Sequence, residues 1–226
     1  MARTYPVYLE VGSKRVFAAA LDWPGWCRGG RDEEAALQAL VGYGPRYAAA
    51  LGPAAGPFAP PKDPSALDVV ERLEGNATTD FGAPGAVPAS DERALRSSEL
   101  ERLTGLLQAC WAAFDAAARD AEGSALRKGP RGGGRELGAI VSHVLDADRA
   151  YLARLGGEYR PGSDGGVADQ TAGLHATIIE ALSSRARGEP PVGKRRSTPW
   201  PPRYAVRRSA WHALDHAWEI EDRTLG

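Results

Sequence analysis

The chain has little of several things that would place it quickly. Its 226 residues include two cysteines, Cys27 and Cys110, far apart and in no CxxC pattern. That argues against a disulfide scaffold or a cysteine-ligated zinc, and it fits a reducing compartment. No stretch reaches the roughly 18 consecutive apolar residues that a membrane span needs. The N-terminal "MARTYPVYLEV" has no apolar run behind its first basic residue, so no signal segment is expected and the protein reads as cytoplasmic. Charge of one sign is missing too: the formal net charge is -1, which gives no bulk attraction to nucleic acid or to an anionic membrane. Histidine is scarce, with four in the whole chain.

What is present divides near residue 90. From Tyr5 to Gly30, "YPVYLEV" and "RVFAAALDW" are rich in β-branched and aromatic residues and flank "GSK", which predicts a hairpin closed by "PGWCRGG". "RDEEAALQALVGYGPRYAAAL" follows with helical spacing, Asp32 as N-cap and acids in its first turn, and this helix is expected to cover one face of the hairpin. Residues 52–64 are too rich in Pro and Gly for regular structure, and "ALDVVERLEG" returns as a strand. "NATTDFGAPGAVPASDE" is a second breaker-rich stretch, beyond which long helical periodicity sets in. Four helices are expected: from Ser90 or Asp91 to about Glu122, from about Gly134 to Leu155, from about Val167 to Arg187 and from about Arg203 to Arg223. The expectation is an α+β chain with a small module over residues 1–80 and a four-helix up-and-down bundle over residues 90–226.

The histidines sit where a bundle can use them. In "WHALDHAWEIEDR", His212 and His216 are four residues apart, on one face of a helix, and His143 lies on the apolar face of the second long helix. Three neutral imidazoles suit a divalent metal and leave coordination positions open for chemistry. His175 is a weaker candidate as a fourth ligand. Position 213 is Ala, so the motif is not HExxH and a metalloprotease is not expected. Asp146, Asp215, Glu219 and Glu136 are close enough in sequence to orient a ligand or act as a base.

These residues carry a resemblance. "GAIVSHVLDADRAYLARL" followed by "AWHALDHAWEIED" resembles the DinB/YfiT-like superfamily, a four-helix bundle with a histidine in its second helix and His-x-x-x-His in its last. The resemblance spans about residues 91–226, and His143, His212 and His216 match its metal ligands position for position. It implies a divalent metal, zinc or nickel first. It also implies, for some members, a low-molecular-weight thiol such as mycothiol or bacillithiol used for S-transfer or isomerisation of a small-molecule substrate. More weakly, Leu21 to Leu40 is similar to the HicB-like fold, whose members are antitoxin subunits. Residues 1–51 carry six Lys/Arg against five Asp/Glu, so the module offers no basic nucleic-acid face. Packing on the bundle or self-association into a homodimer is the role expected of it.

One charged stretch remains. "GKRRSTPWPPRYAVRR", Gly193 to Arg208, concentrates six basic residues with Trp200 and Tyr204 and no acid. Lys194, Arg195, Arg196, Arg203 and Arg208 are therefore candidates for receiving an anionic cosubstrate beside the metal. Cys110 falls on an inward helix stripe and is expected to be inert. Thr78 to Gly85, "TTDFGAPG", could line a site between the two parts. The competing expectation is a metal-binding structural or regulatory protein with no chemistry, and a DNA-binding regulator stands behind both.

Overall fold

The computed structural model describes residues 3–128, 134–160, 166–192 and 198–224. The chain is α+β, and among the described residues it has seven α-helices and one mixed four-stranded sheet. The strands are β1 (Tyr5–Val11), β2 (Val16–Ala20), β3 (Cys27–Gly30) and β4 (Leu67–Glu74), in the order β3-β2-β1-β4. β1 and β2 form the expected antiparallel hairpin, and β4 joins β1 in parallel with an irregularity between Val7 and Tyr8. The segment read as a closing turn supplies β3, paired antiparallel to β2.

β1 and β2 are buried almost throughout. The reason is that both faces of the sheet are covered, so the alternation of a half-exposed strand is lost. Val7, Leu9, Ala18 and Ala20 enter the main core, while Tyr8, Phe17, Ala19 and Cys27 form a second cluster around Trp211 from the last helix. On the first side lies α1 (Glu33–Gly42), whose first turn is capped by Asp32 accepting from the Ala35 N–H at 2.8 Å. The single helix expected over this region is two. Gly42, Gly44 and Pro45 interrupt it, and α2 (Gly44–Leu51) restarts with Pro45 in its first turn. Trp26, fully buried, stacks on Tyr47 of α2 and donates from Nε1 to Leu40 O at 2.8 Å.

A short helix, α3 (Ala77–Phe81), lies inside the breaker-rich stretch, capped by Asn76. The long helices are α4 (Ser97–Asp120), α5 (Leu137–Leu155), α6 (Val167–Ala186) and α7 (Pro202–Thr224). α4 begins at Ser97 rather than at Ser90 or Asp91, because Asp91 is used elsewhere. Its buried carboxylate accepts from Nε and Nη2 of Arg207 on α7, at 2.9 and 2.8 Å. Arg207 also donates to the Ala20 and Leu21 carbonyls at the end of β2. Burial opposes the charge on Arg207, but Asp91 outweighs it and moves the guanidinium pKa upward.

The four long helices pack on one another, and the core runs from the sheet into them without a break. Gly25, at φ 92°, turns the chain onto α7, where an added Cβ would lie 3.0 Å from Leu214 and 3.3 Å from Cys110 Sγ. Arg28 pairs with Asp215 at 2.9 Å and lies over the Tyr43 ring, while Arg46 pairs with Glu221 at 2.6 Å. No helix among the described residues is long and apolar enough to cross a membrane.

Removing one partner of a buried ion pair leaves an unpaired charge in the interior. Asp91→Ala is therefore expected to lower the unfolding free energy by about 3–5 kcal/mol, read in urea titrations by tryptophan fluorescence. A loss below about 1 kcal/mol, the range of exposed pairs, would show that the pair does not join the sheet to α7.

Candidate metal centre

α5 and α7 bring His143, His212 and His216 together. One ligand atom from each lies within 4.8 Å of the others. The ring centroids are 5.1 Å apart for His143 and His212, 5.0 Å for His143 and His216, and 4.6 Å for His212 and His216. The i, i+4 spacing on α7 accounts for the last distance, and the crossing of α5 over α7 supplies the third ring.

Nε2 of His212 and Nε2 of His143 face each other at 3.3 Å. Nδ1 of His212 is buried and has no hydrogen-bond partner among the described residues. Burial, then the neighbouring His216 and His143, lower the His212 pKa to about 2. Burial and Arg135 lower His143 as well. Both rings are thus neutral at physiological pH. Neutral histidine is the form that ligates a metal.

His216 has a partner that selects its ligand atom. Its Nδ1 is 2.8 Å from Oε2 of Glu219, and Oε1 of the same carboxylate accepts from Arg223 at 2.8 Å. The bond to His216 and the charge of Arg223 keep the Glu219 carboxyl below its ordinary range, so the carboxylate accepts and Nδ1 carries the proton. Nε2 is left for the cluster, which is how a carboxylate orients a metal-ligating histidine.

The donor set fits a divalent ion. Tetrahedral zinc with Zn–N near 2.0–2.1 Å needs nitrogens about 3.4 Å apart. His143 and His212 already stand at 3.3 Å. The other nitrogens of the set lie within 4.8 Å of one another.

The other candidates are distributed differently. Asp215 is taken by Arg28, and Asp146 pairs with Arg149 at 3.0 Å, so of the four expected carboxylates only Glu219 bonds a triad imidazole among the described residues. Glu136 stands immediately before α5 as its N-cap residue, with no side-chain capping bond. His175 does not join the triad: it pairs with Asp148 on the other side of α5. Cys110 is buried, and burial raises its thiol pKa. Lys194, Arg195 and Arg196 lie outside the described residues. Arg203 is committed to Glu99 at 2.8 Å and to the Arg93 and Ala94 carbonyls, which ties α7 to the start of α4 rather than to a ligand.

Arg208 is placed otherwise. It stands one turn before His212, over the Trp211 ring at 4.7 Å, and donates to Pro84 O. It lines a cavity of about 370 Å³ together with Arg154, Tyr151, Trp200 and Tyr204. Tyr151 links this cavity to the triad, with its ring 5.8 Å from that of His212. Thr78 and Gly85 form part of its wall. Buried Glu10 holds that loop by accepting from Thr79 Oγ1, Gly85 N and Ala86 N. Burial pushes Tyr204 up to about 12, and its phenol donates to Gly85 O at 3.1 Å. The role of Glu10 was not visible in the sequence, where a single acid in a strand carries no signal. A larger groove of about 740 Å³, lined mostly by alanines of α2 and α4, contains no histidine.

Compared with protein-family models, curated proteins and solved structures, the chain finds no match in any of the three.

The depressed pKa of His212 sets the sign of an acid effect. The unfolded ring takes a proton near pH 6.5 that the folded ring refuses, so stability is level above that pH and falls below it. For His212 the loss amounts to about 2 kcal/mol by pH 5. Urea titrations of the chelator-treated protein should show this slope, and His212→Gln should flatten it; equal slopes would contradict the assignment.

Proposed function

We propose that this protein is a metal-dependent enzyme of the DinB/YfiT type. On this reading α4 to α7 are that family's up-and-down bundle, residues 1–80 are a HicB-like module packed against it, and His143, His212 and His216 hold one zinc or nickel ion. The reaction is transfer, isomerisation or hydrolysis on a small molecule, with a low-molecular-weight thiol or water as nucleophile. When bound, the metal supplies Lewis acidity, which lowers the pKa of a thiol or water enough to give a nucleophile at neutral pH.

The observation that carries this reading is the convergence of three imidazoles within 4.8 Å, one of them buried and with its pKa lowered to about 2. The side chains around them have definable tasks. Glu219, steadied by Arg223, keeps the proton of His216 on Nδ1. Arg208 and Arg154 give the adjoining cavity a positive wall that favours an anionic group, such as a thiol's carboxylate. Tyr151, Trp200 and Tyr204 line it as well, and the loop held by Glu10 borders one side.

A second reading, a metal that only staples α5 to α7, is favoured by the 6% exposure of His212. The two readings differ in what chelation does. A staple leaves the apoprotein unfolded, whereas a catalytic ion leaves it folded and inactive.

Elemental analysis of the purified protein should find about one divalent ion per chain, by analogy with three-histidine catalytic sites. His143→Ala, His212→Ala and His216→Ala should each lose it, and thermal melts of the same samples separate the two readings. Absence of metal in the wild type, even after incubation with zinc or nickel, removes the proposal. Glu219→Gln is expected to weaken metal binding by roughly 10–100-fold, measured by competition with a chromogenic chelator.

A further inference from the structure

One arginine of α7 has a charge that the chain itself does not answer. Arg203, Arg207 and Arg223 each pair with a carboxylate. Arg208 has no carboxylate partner among the described residues. It meets the Pro84 carbonyl, the face of the Trp211 ring and the Tyr151 phenol, whose pKa burial raises while the charge and hydrogen bond of Arg208 oppose the rise. A guanidinium is charged at any physiological pH and carries five N–H donors. Pro84 and Tyr151 occupy two of them, which leaves a fork for a bidentate acceptor.

The surroundings of Arg208 narrow what that acceptor belongs to. The cavity of about 370 Å³ that it lines contains a second arginine, Arg154, and no acid. Glu10, whose charge reaches Tyr204, is engaged by Thr79, Gly85 and Ala86, and Asp148, whose charge reaches Tyr151, is engaged by Ser209 and His175. Three aromatic rings complete the wall. Trp200 and Tyr204 stand nearly perpendicular at 4.9 Å, and Tyr151 is tilted against Trp200 at 5.3 Å. Tyr151 also has its ring 5.8 Å from that of His212, so a molecule on Arg208 is one side chain away from the triad.

We propose that this cavity selects the small-molecule substrate and that the substrate is an aryl carboxylate, its carboxylate on the Arg208 guanidinium and its ring among Tyr151, Trp200 and Tyr204. The polarity and the shape decide the class together. An amino acid would bring an ammonium to two arginines with no acid to receive it, and a neutral molecule would leave the guanidinium fork unmet. An aliphatic carboxylate would satisfy Arg208 but forgo the edge-to-face contacts that aromatic walls offer, each of about 0.5–1.5 kcal/mol beyond area burial. The inference rests on the metal-enzyme reading for what becomes of the bound molecule; the recognition itself uses no residue of the triad.

The test is calorimetry on the full chain as purified, with benzoate as probe and benzyl alcohol, cyclohexanecarboxylate and phenylalanine as controls. Benzoate should bind more tightly than each of the three. Arg208→Gln should weaken benzoate binding about tenfold or more, the size of a lost hydrogen bond to a charged group, and leave benzyl alcohol unchanged. Because Arg208 also holds Pro84, thermal melts accompany that variant, and Trp200→Leu provides a second reading. It should erase the margin of benzoate over cyclohexanecarboxylate and keep the margin over benzyl alcohol. Benzoate binding no tighter than benzyl alcohol or cyclohexanecarboxylate, or unchanged in a folded Arg208→Gln, overturns the proposal. Elemental analysis of the same samples separates it from the metal reading. Arg208-dependent benzoate binding without metal keeps this inference and removes that reading, and metal without a benzoate preference does the reverse.

Discussion

The structure depends on burying a charged helix. α7 is enclosed along most of its length, yet it carries arginines, acids and two histidines. A buried charge is tolerated only when it is paired, and the charges of α7 meet partners from several parts of the chain. Arg203 meets Glu99, Arg207 meets Asp91, Asp215 meets Arg28 and Glu221 meets Arg46, while Arg223 pairs with Glu219 within the helix. These pairs bind the sheet, α2, α4 and the segment before α4 to one axis. They also set the rotation of α7 about that axis, because a turned helix would strand several charges at once.

Rotation is what the candidate centre needs. With α7 held, His212 and His216 face α5, while Tyr204 and Arg208 face the loop after α3 and the cavity it borders. Ser209, between them, reaches Asp148 and through it His175. One helix thus presents two histidines toward the triad, an arginine toward the neighbouring cavity and a hydroxyl toward the separate His175 pair. Of the two histidines on this helix, His216 is satisfied by Glu219, but among the described residues His212 Nδ1 is left without a partner. An unmet polar atom in a helix otherwise so fully paired sets this point apart from the structural network.

Much of the outline was legible in the residues. The His212 and His216 spacing, the apolar position of His143, the Asp32 cap and the strand character of Tyr5–Val11 are local patterns, and local patterns follow from the period of a helix or a strand. The misreadings share a physical cause. Ser90 or Asp91 is the helix start that local signals offer, but the Asp91 carboxylate is claimed by Arg207 more than a hundred residues away. Asp215 was placed beside the metal because it lies between two histidines, yet helix geometry turns it to Arg28. Cys27–Gly30 was read as a turn because Gly-rich strands carry no pattern, and it becomes a strand because β2 offers an edge to pair with.

The sequence by itself therefore determined the α+β class, the long helices and the three imidazoles able to share an ion, since each is written within one or two elements. Tertiary structure alone decided which carboxylate serves those imidazoles, that Glu10 holds a loop over the neighbouring cavity, and that His175 belongs to Asp148 and not to the triad. Pairings of that kind are set by how helices cross and rotate against one another, and the crossing is fixed by the summed packing and charge pairing of the whole core.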